Sequence, residues 1–326
     1  MTQAARDRLA RALELLGDQW TLLILQQAFF GVRRFNDWRD ILGISEAVLS
    51  PRLRSLVEAG VFYRRPYRDH HRTRSEYRLT DAGLDLWSVL VAIWAWEYQW
   101  VPGRREELPE LLHSLCRESC QPTLGCAHCG ESVTARDTTA HRDPQQLVRD
   151  ATPPRRFRRS GWESVSGRPE LFFPETMTII GDRWSTALTA AALLGNRRFS
   201  EFERELGIRP SILSQRLSQL RELGVLARQQ EHGRQAVIYR LTEKGLAFYP
   251  VFALIIAWAD QWFDDQPRSL RVEHRACSQT LVPRLYCDRC GVKLERSQIQ
   301  FGHPELLRSS EAFQLPTDRP PSPTAR

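Results

Sequence analysis

Residues 15–44, LLGDQWTLLILQQAFFGVRRFNDWRDILGI, return at residues 179–208 as IIGDRWSTALTAAALLGNRRFSEFERELGI. Extended to residues 65 and 229, the two stretches align without a gap at an offset of 164, with 20 identities in 51 positions. Shorter matches follow in the same order at offsets of 162 and 161. The period is much longer than the 20–50 residues of solenoid repeats, so the chain contains two copies of one unit of roughly 125 residues.

Each copy has the hydrophobic spacing of a helix-turn-helix followed by a hairpin. In the first copy, an apolar run from Trp20 to Phe30 and a short amphipathic segment precede a turn at Gly43 and Ile44. Ser45 is a good N-cap for the next helix, whose leucines recur at i, i+4 and i+7. Two strand-like runs then flank a basic loop over residues 68–74, and Thr80 is expected to cap a long aromatic helix.

The predicted fold class is mainly α with small β wings (α+β), with two winged helix-turn-helix domains, each followed by a small zinc-ribbon-like module. The predicted divisions are winged helix 1–103, module 104–136, Arg/Pro-rich linker 137–172, winged helix 173–266, module 267–303 and flexible tail 304–326.

The charge balance is basic but modest, with 46 Lys and Arg against 39 Asp and Glu, for a net charge of +7. Only Lys244 and Lys293 are lysines, so the cations are almost all arginine, which suits phosphate and guanine edges. The chain has no apolar run of membrane-spanning length and its first residues lack a signal-peptide core, so a cytoplasmic, nucleoid-associated location is expected.

A helix that fits the major groove and a basic hairpin that reaches the flanking backbone predict a partner of double-stranded DNA. The exposed face of each recognition helix, the arginines before it and the wing cations supply the expected contacts. The residues expected to contact DNA are Arg34, Ser45, Ser50, Arg52, Arg54, Arg72, Arg74, Arg198, Ser211, Ser214, Gln215, Arg216, His232 and Arg234. For Arg52 and Arg216, an internal brace on the recognition helix is the alternative.

The pattern resembles the HxlR-type winged-helix regulators of bacteria. The resemblance is carried by Gly17-Asp18-Gln19-Trp20, Arg33-Arg34-Phe35, Gly43-Ile44-Ser45, Gly60 and Tyr77-Arg78-Leu79-Thr80, and by their counterparts in the second copy. It implies a DNA-binding transcription factor that normally works as a homodimer through its N-terminal and C-terminal helices. With two units fused, we expect a single-chain pseudo-dimer with an imperfectly palindromic operator.

The sequence departs from that family in two places. Some members sense oxidants through a cysteine about ten residues before the Gly-x-x-Trp motif, and here those positions are Asp7 and Leu171. Pro51 falls inside the first recognition helix, where proline removes a hydrogen bond. We therefore expect either weaker DNA reading by the first winged helix or a recognition helix that begins only at Ser50.

A Cys/His set with the spacing H-x2-C-x9-C-x2-C follows each winged helix. Three thiolates and one imidazole suit tetrahedral zinc and leave no open position, so two structural Zn²⁺ sites are predicted, one per module. Buried thiols or a labile disulfide are the alternatives. Cys120 and His128, which occur only in the first copy, are expected to be bystanders, with substitution of either as a ligand as the alternative. The predicted ligands are His113, Cys116, Cys126 and Cys129, and His274, Cys277, Cys287 and Cys290.

The function predicted is therefore sequence-specific transcription regulation. A protein-interaction adaptor, or a metal- or redox-responsive regulator acting through the Cys/His modules, is the alternative. Pairing of two chains and a small-molecule effector stay open, although the tryptophan-rich final helices favour core or dimer interface over an effector pocket. No G-x-S-x-G, P-loop or H-E-x-x-H motif occurs, so an enzyme is not expected.

Overall fold

The computed structural model describes residues 7–69, 72–142, 173–230, 236–302 and 313–314. The first half of the chain contains α1 (Arg8–Leu16), α2 (Gln19–Phe29), α3 (Phe35–Leu42), α4 (Glu46–Glu58), β1 (Phe62–Asp69), β2 (Arg72–Leu79), α5 (Asp81–Asp85), α6 (Trp87–Trp100), α7 (Arg104–Glu107), β3 (Glu110–His113), β4 (Glu118–Ser119), β5 (Pro122–Cys126) and β6 (Thr138–Arg142).

The second half repeats this order of elements. It contains α8 (Pro174–Ile180), α9 (Arg183–Leu193), α10 (Phe199–Leu206), α11 (Pro210–Glu222), β7 (Leu226–Gln230), β8 (Val237–Leu241), α12 (Glu243–Leu246), α13 (Tyr249–Trp262), β9 (Leu270–His274), β10 (Gln279–Thr280), β11 (Pro283–Cys287), β12 (Ile299–Gly302) and β13 (Phe313–Gln314). The predicted fold class, helical with small antiparallel sheets, is confirmed.

Each repeat forms a winged helix around the predicted leucine stripe. Leu49, Leu53 and Leu56 of α4 are fully buried, because positions i, i+4 and i+7 share one face of a helix. The turn before α4 passes through Gly43 at φ 62°, a left-handed conformation that glycine adopts without strain. Hairpins β1–β2 and β7–β8 form the wings.

Two local expectations for the first repeat are wrong. Helix α4 begins at Glu46 and continues through Pro51, so it does not wait until Ser50, and it has the same 13-residue length as α11. Thr80 caps the short helix α5 through the backbone N–H of Gly83, whereas the long aromatic helix α6 begins separately at Trp87. Ser45 occupies the N-cap position of α4, but its side chain makes no capping hydrogen bond.

The two repeats contact each other through their terminal helices. Helix α1 of the first repeat packs on α13 of the second. The Arg8 guanidinium donates to the carbonyl oxygens of Asp260, Asp264 and Gln266 at 3.0, 2.7 and 2.6 Å. Carbonyls at the end of a helix lack partners within it, so a cation there stabilises the end of α13.

Asp7 stands where some relatives of the resembled family carry a sensing cysteine, and it is used structurally. Its Oδ1 accepts hydrogen bonds from the backbone N–H groups of Leu9 and Ala10, which caps α1. Its Oδ2 accepts from the backbone N–H of Ser269 at 2.8 Å. One carboxylate therefore begins a helix of the first repeat and ties it to the second.

The contact between the aromatic ends of the two repeats is pseudo-symmetric. Trp96 Nε1 of α6 donates to the carbonyl oxygen of Lys244 in α12 at 3.0 Å, and Trp258 Nε1 of α13 donates to that of Ala82 in α5 at 2.8 Å. An offset of 162 relates both the donors and the acceptors. A self-complementary pair of this kind is the mark of a two-fold interface, so the chain has the internal arrangement of a dimer.

The two Cys/His modules interleave into one β structure and do not form separate ribbons. Strand β3 pairs with β12, β9 pairs with β6, and β5 pairs with β11. In the last pair Leu124 lies opposite Leu285, its own counterpart at an offset of 161. The pseudo-two-fold axis therefore passes through this strand pair.

The predicted linker and tail both contribute strands. Residues 138–142 form β6, so the predicted linker 137–172 begins inside the β structure, and its arginine cluster lies outside the described residues. Residues 313–314 of the predicted flexible tail pair with β12. Within the described part of the chain, no helix is long and apolar enough to cross a lipid bilayer.

One buried carboxyl group joins the repeats without a symmetric counterpart. Glu97 of α6 is fully buried, and its Oε1 accepts a 2.8 Å hydrogen bond from the backbone N–H of Thr176 in the first turn of α8. The equivalent residue in the second repeat is Ala259. Burial raises the pKa of Glu97 to about 7, and the Thr176 hydrogen bonds only partly oppose this.

The raised pKa of Glu97 predicts a pH-dependent stability. The folded chain retains a proton that the unfolded chain releases above its ordinary pKa of 4.5, so stability is full below that pH and falls as pH rises through about 7. Between pH 4.5 and 8, the free energy of unfolding of the wild type, measured by urea unfolding, should fall by about 3 kcal/mol relative to that of Glu97→Gln. The exposed Glu106→Gln is the control, and a Glu97→Gln difference that stays constant with pH would contradict the assignment.

Candidate nucleic-acid interface and metal centres

The two recognition helices, α4 and α11, present small polar faces to solvent. The expected contact residues that are exposed there are Ser45 and Arg54 in the first copy and Ser211, Ser214 and Gln215 in the second, whereas Ser50 is half-buried. The first face carries Arg54 together with Glu46, and the second carries Arg209 at the N-cap position of α11, where the first copy has Ser45. The two faces therefore place their charges at different positions.

Arg52 is held by an internal ion pair on the first recognition helix. Its Nε and Nη2 donate to Asp18 Oδ2 and Oδ1 at 2.6 and 2.9 Å, and its Nη1 donates to the carbonyl oxygen of Val48. Asp18 also caps α2, accepting from the backbone N–H and hydroxyl of Thr21. A bidentate ion pair fixes the relative orientation of its two groups in addition to attracting them. Asp18 therefore holds α4 in a defined position against α2.

The second repeat uses the same lock. Arg216 Nε lies 2.7 Å from Asp182 Oδ2, and Asp182 caps α9 through Ser185. Both Arg52 and Arg216 thus form the ion pair that an internal brace requires, which was the alternative to a DNA contact. The Asp of the Gly-Asp-x-Trp motif was not recognised as their partner from the sequence, although its fixed separation of 34 residues from the arginine recurs in both copies.

The arginines before the recognition unit connect it to the wing. Arg34 and Arg198 each form an isolated β-bridge, to Glu76 and Ile238 respectively. The guanidinium of Arg34 also stacks over the Tyr67 ring of β1, 4.8 Å from its centroid. Arg34 is exposed, whereas Arg198 is half-buried. In each repeat, one isolated bridge therefore links the residue before the short helix α3 or α10 to the wing.

The first wing contains more arginine than the second. Its strands have eight residues each, and the described strands of the second wing, which stop on either side of residues 231–235, have five. Arg74 is exposed on β2, and Arg72 begins that strand, whereas His232 and Arg234 lie outside the described residues. The exposed Arg64 and Arg65 of β1 were missed as candidates because the wing cations were taken only from the basic loop over residues 68–74.

The Cys/His residues come together in two groups, and each group draws on both modules. One contains His113, Cys116, Cys287 and Cys290, and the other contains Cys126, Cys129, His274 and Cys277. The prediction of one complete site within each module is therefore wrong, although all eight residues are used. The pairing of β5 with β11 places the Cys-x2-Cys end of each module beside the His-x2-Cys end of the other.

The distances within both groups fit a tetrahedral zinc ion. His113 Nδ1 lies 3.5 and 3.4 Å from the sulfur atoms of Cys116 and Cys290, and the sulfur atoms of Cys116 and Cys287 are 3.8 Å apart. The second group repeats these values as 3.5, 3.4 and 3.9 Å. Bond lengths of about 2.3 Å to sulfur and about 2.0 Å to nitrogen imply edges of about 3.8 and 3.5 Å. A disulfide is excluded because its sulfur atoms would lie about 2 Å apart.

The seventh cysteine does not belong to either group of four. Cys120 is buried, and desolvation raises the pKa of its thiol. It lies near Cys287 and Asp288, which is a less suitable ligand set than the three-thiolate groups. Cys120 is therefore a buried neighbour of the first group and not one of its four ligands.

Comparison with known proteins places both winged helices in one family. The family model described as HxlR-like helix-turn-helix matches residues 15–105 and 179–267, which together are more than half of the chain. An uncharacterised HTH-type transcriptional regulator of Mycobacterium tuberculosis is 47% identical over 138 residues, which are 42% of this chain and 87% of that protein. This relative has about the length of one repeat with its module.

More distant relatives match single winged helices. The HTH-type transcriptional regulator YodB of Bacillus subtilis is 34% identical over 87 residues, which are 26% of this chain and 78% of that protein. The crystal structure of diamide-treated YodB aligns with a TM-score of 0.25 and 32% identity, covering 29% of this chain and 95% of that one.

The crossed groups predict how metal content responds to paired substitutions. Cys116→Ala with Cys290→Ala removes two ligands from one group, so one tightly held zinc ion should remain per chain. Cys116→Ala with Cys126→Ala removes one ligand from each group, so no ion should withstand a competing chelator. Metal content after chelator dialysis, measured by mass spectrometry, gives the count. Sites confined to single modules would reverse the two results.

Proposed function

The chain belongs to the HxlR-like helix-turn-helix family, and we propose that it is a DNA-binding transcriptional regulator in which one chain does the work of a dimer. The observation that carries this proposal is the reciprocal pair of tryptophan hydrogen bonds, from α6 to α12 of the second repeat and from α13 to α5 of the first. Family members that are one repeat long need a second chain to present two recognition helices. Here the second repeat supplies that partner within the same chain.

Each recognition helix would enter a major groove with its exposed polar face toward the bases. Arg54 would serve the first half-site and Gln215 the second, while Ser45, Ser50, Ser211 and Ser214 would contact bases or adjacent phosphates. Arg34, Arg72 and Arg74, with Arg198, His232 and Arg234 in the second half, would hold the flanking backbone. Asp18 and Asp182 would act indirectly, by fixing the helix that carries the contacts.

The two heads would read different half-sites. The first recognition face has Arg54 and its wing is rich in arginine, whereas the second face has Gln215, with Arg209 at the N-cap of its helix. Arginine favours guanine edges, and glutamine favours adenine. The operator is therefore an imperfect palindrome. As a regulator of this kind, the protein would act on nucleoid DNA in the cytoplasm.

Zinc in the two crossed Cys/His groups would be structural. Each group offers three thiolates and one imidazole, which close the coordination shell and leave no position for a reacting water. When bound, the ion supplies cross-links between segments of the two halves, which are 171 to 177 residues apart in one group and 145 to 151 in the other. The metal would then stabilise the spacing of the two heads.

A metal-responsive regulator is the second candidate, and the crossing of the ligand sets is what favours it. Loss of zinc from sites inside separate modules would leave the two heads in place. Loss from shared sites removes links between the halves. The test is whether physiological zinc buffering changes DNA affinity reversibly, which a permanently loaded structural site would not allow.

Selection from random duplex DNA by the zinc-loaded chain tests the proposed function. The expected result is a two-part consensus whose affinity falls steeply between about 50 and 200 mM salt. Arg54→Ala should relax the sequence of one half-site only, and Gln215→Ala that of the other. The proposal that each recognition helix contacts its own half-site would be contradicted by two results. One is the recovery of no consensus, and the other is a single half-site that both substitutions affect.

A double-mutant cycle separates bracing from DNA contact at Arg52. If Arg52 acts through Asp18, Arg52→Ala should weaken binding in the wild type but hardly at all in the Asp18→Asn background. Each single substitution should also lower the free energy of unfolding by about 1–2 kcal/mol. Arg54→Ala is the matched control, and its effect on affinity should be the same in both backgrounds. Additive effects of Arg52→Ala would show that it contacts DNA itself.

A further inference from the structure

A further cluster of metal-binding atoms lies beside the first Cys/His group. The sulfur atoms of Cys120 and Cys287 and a carboxylate oxygen of Asp288 all lie within 4.8 Å of one another. Cys120 is only 2% exposed, whereas Asp288 lies at the surface. The cluster is therefore buried at its thiol end and reaches solvent at its carboxylate end.

The fold holds the two sides of this cluster together. Cys120 follows β4 in the first half of the chain, and Asp288 follows β11 in the second. Arg289 Nε donates to the carbonyl oxygen of Ser119 at 3.2 Å. The backbone N–H of Gln121 donates to Asp288 Oδ1 at 2.8 Å. Because the residues on either side of Cys120 make these hydrogen bonds, the ligand atoms are brought together without an ion, which lowers the cost of binding one.

The second Cys/His group lacks both additional ligands. At the offset of 161, Cys120 corresponds to Leu281 and Asp288 to Ala127. The backbone N–H of Ala127 instead donates to the carbonyl oxygen of Val282 at 2.9 Å, so a backbone contact replaces the one that the carboxylate makes. A thiol and a carboxylate are therefore added at the same one of two otherwise matching groups.

The three ligands suit a thiophilic divalent ion. Thiolates favour zinc and similar soft ions, and a carboxylate is also a zinc ligand. Three protein ligands leave one coordination position open to solvent, unlike the closed shells of the two groups of four. In the first group, three thiolates exceed the charge of one divalent ion, and Asp288 adds a further negative charge beside it. A second cation at this place is therefore favoured by electrostatic attraction.

We propose that Cys120, Cys287 and Asp288 bind a third divalent ion of the zinc type, with the Cys287 thiolate bridging it to the ion of the first group. Its ligands come from both halves of the chain, so it would add a further link between them. The proposal rests on the proposed loading of the first Cys/His group with zinc, but not on DNA binding.

The third ion would be held more weakly than the other two. Desolvation raises the pKa of the Cys120 thiol, so the ion has to displace a tightly held proton. It also competes with Arg289, whose Nε lies 3.9 Å from Asp288 Oδ2. With one ligand fewer and an open position, this ion would exchange with the surroundings while the two enclosed ions stay bound.

Native mass spectrometry of the full chain at increasing free zinc, set by a metal buffer, counts the bound ions. The expected result is two ions per chain at low free zinc and a third at higher free zinc. Cys120→Ser and Asp288→Asn should each remove the third ion and retain the first two. Glu118→Gln, which changes an exposed carboxylate next to the same group, is the matched control and should keep all three.

Cobalt(II) shows whether the third ion is bound by thiolate. Added to the chain loaded with two zinc ions, one equivalent should produce a thiolate-to-metal charge-transfer absorption that Cys120→Ser abolishes. Circular dichroism confirms that each variant is folded. Two ions without a third, a third ion without that absorption, or a third ion retained by folded Cys120→Ser would overturn this proposal alone. Fewer than two zinc ions per chain would overturn it together with the proposed zinc groups.

Discussion

The antiparallel pairing of β5 with β11 is the contact on which the rest of the molecule depends. Leu124 faces its own counterpart Leu285, so the two halves meet about a pseudo-two-fold axis. Gly125 permits the close approach, since a Cβ there would lie 2.6 Å from the Tyr286 ring. The crossed Cys/His groups follow from this pairing, because it places the thiol pair of one module beside the His-x2-Cys segment of the other.

A short series of polar contacts connects the two winged helices to this strand pair. Asp18 caps the N-terminus of α2 and forms an ion pair with Arg52 of the recognition helix. Asp182 caps α9 and forms an ion pair with Arg216 in the second repeat. The aromatic helices α6 and α13 then join the repeats through reciprocal tryptophan donors. Burial of these polar groups makes each contact directional as well as cohesive, so the position of each head is defined relative to the axis.

Much of this could be predicted from the sequence, because the governing signals are local. The repeat, the leucine stripe and the glycine turn at Gly43 each depend on neighbours a few residues apart. The eight metal-ligand candidates were also found from their spacing. Their grouping could not be, since two copies of H-x2-C-x9-C-x2-C allow ligation within a module or between modules, and the choice is made by strand pairing across about 160 residues.

Other features were missed for the same physical reason. Arg52 was expected on the DNA side because helix periodicity places it at the edge of the exposed face, and nothing local shows that Asp18 faces it. Glu97 looks like any polar residue in an apolar helix until α8 packs over it. Pro51 was expected to disturb α4, yet the helix continues through it, because tertiary packing of the leucine stripe outweighs the loss of one backbone hydrogen bond.

The most direct test of the account is the stoichiometry of the complex with a selected two-part site. Analytical ultracentrifugation of the zinc-loaded chain with that duplex measures the mass of the complex in solution. One chain per duplex, with both half-sites protected from cleavage, is the result the account predicts. Two chains per duplex, each protecting one half-site, would contradict the claim that the two repeats of one chain form the reading dimer.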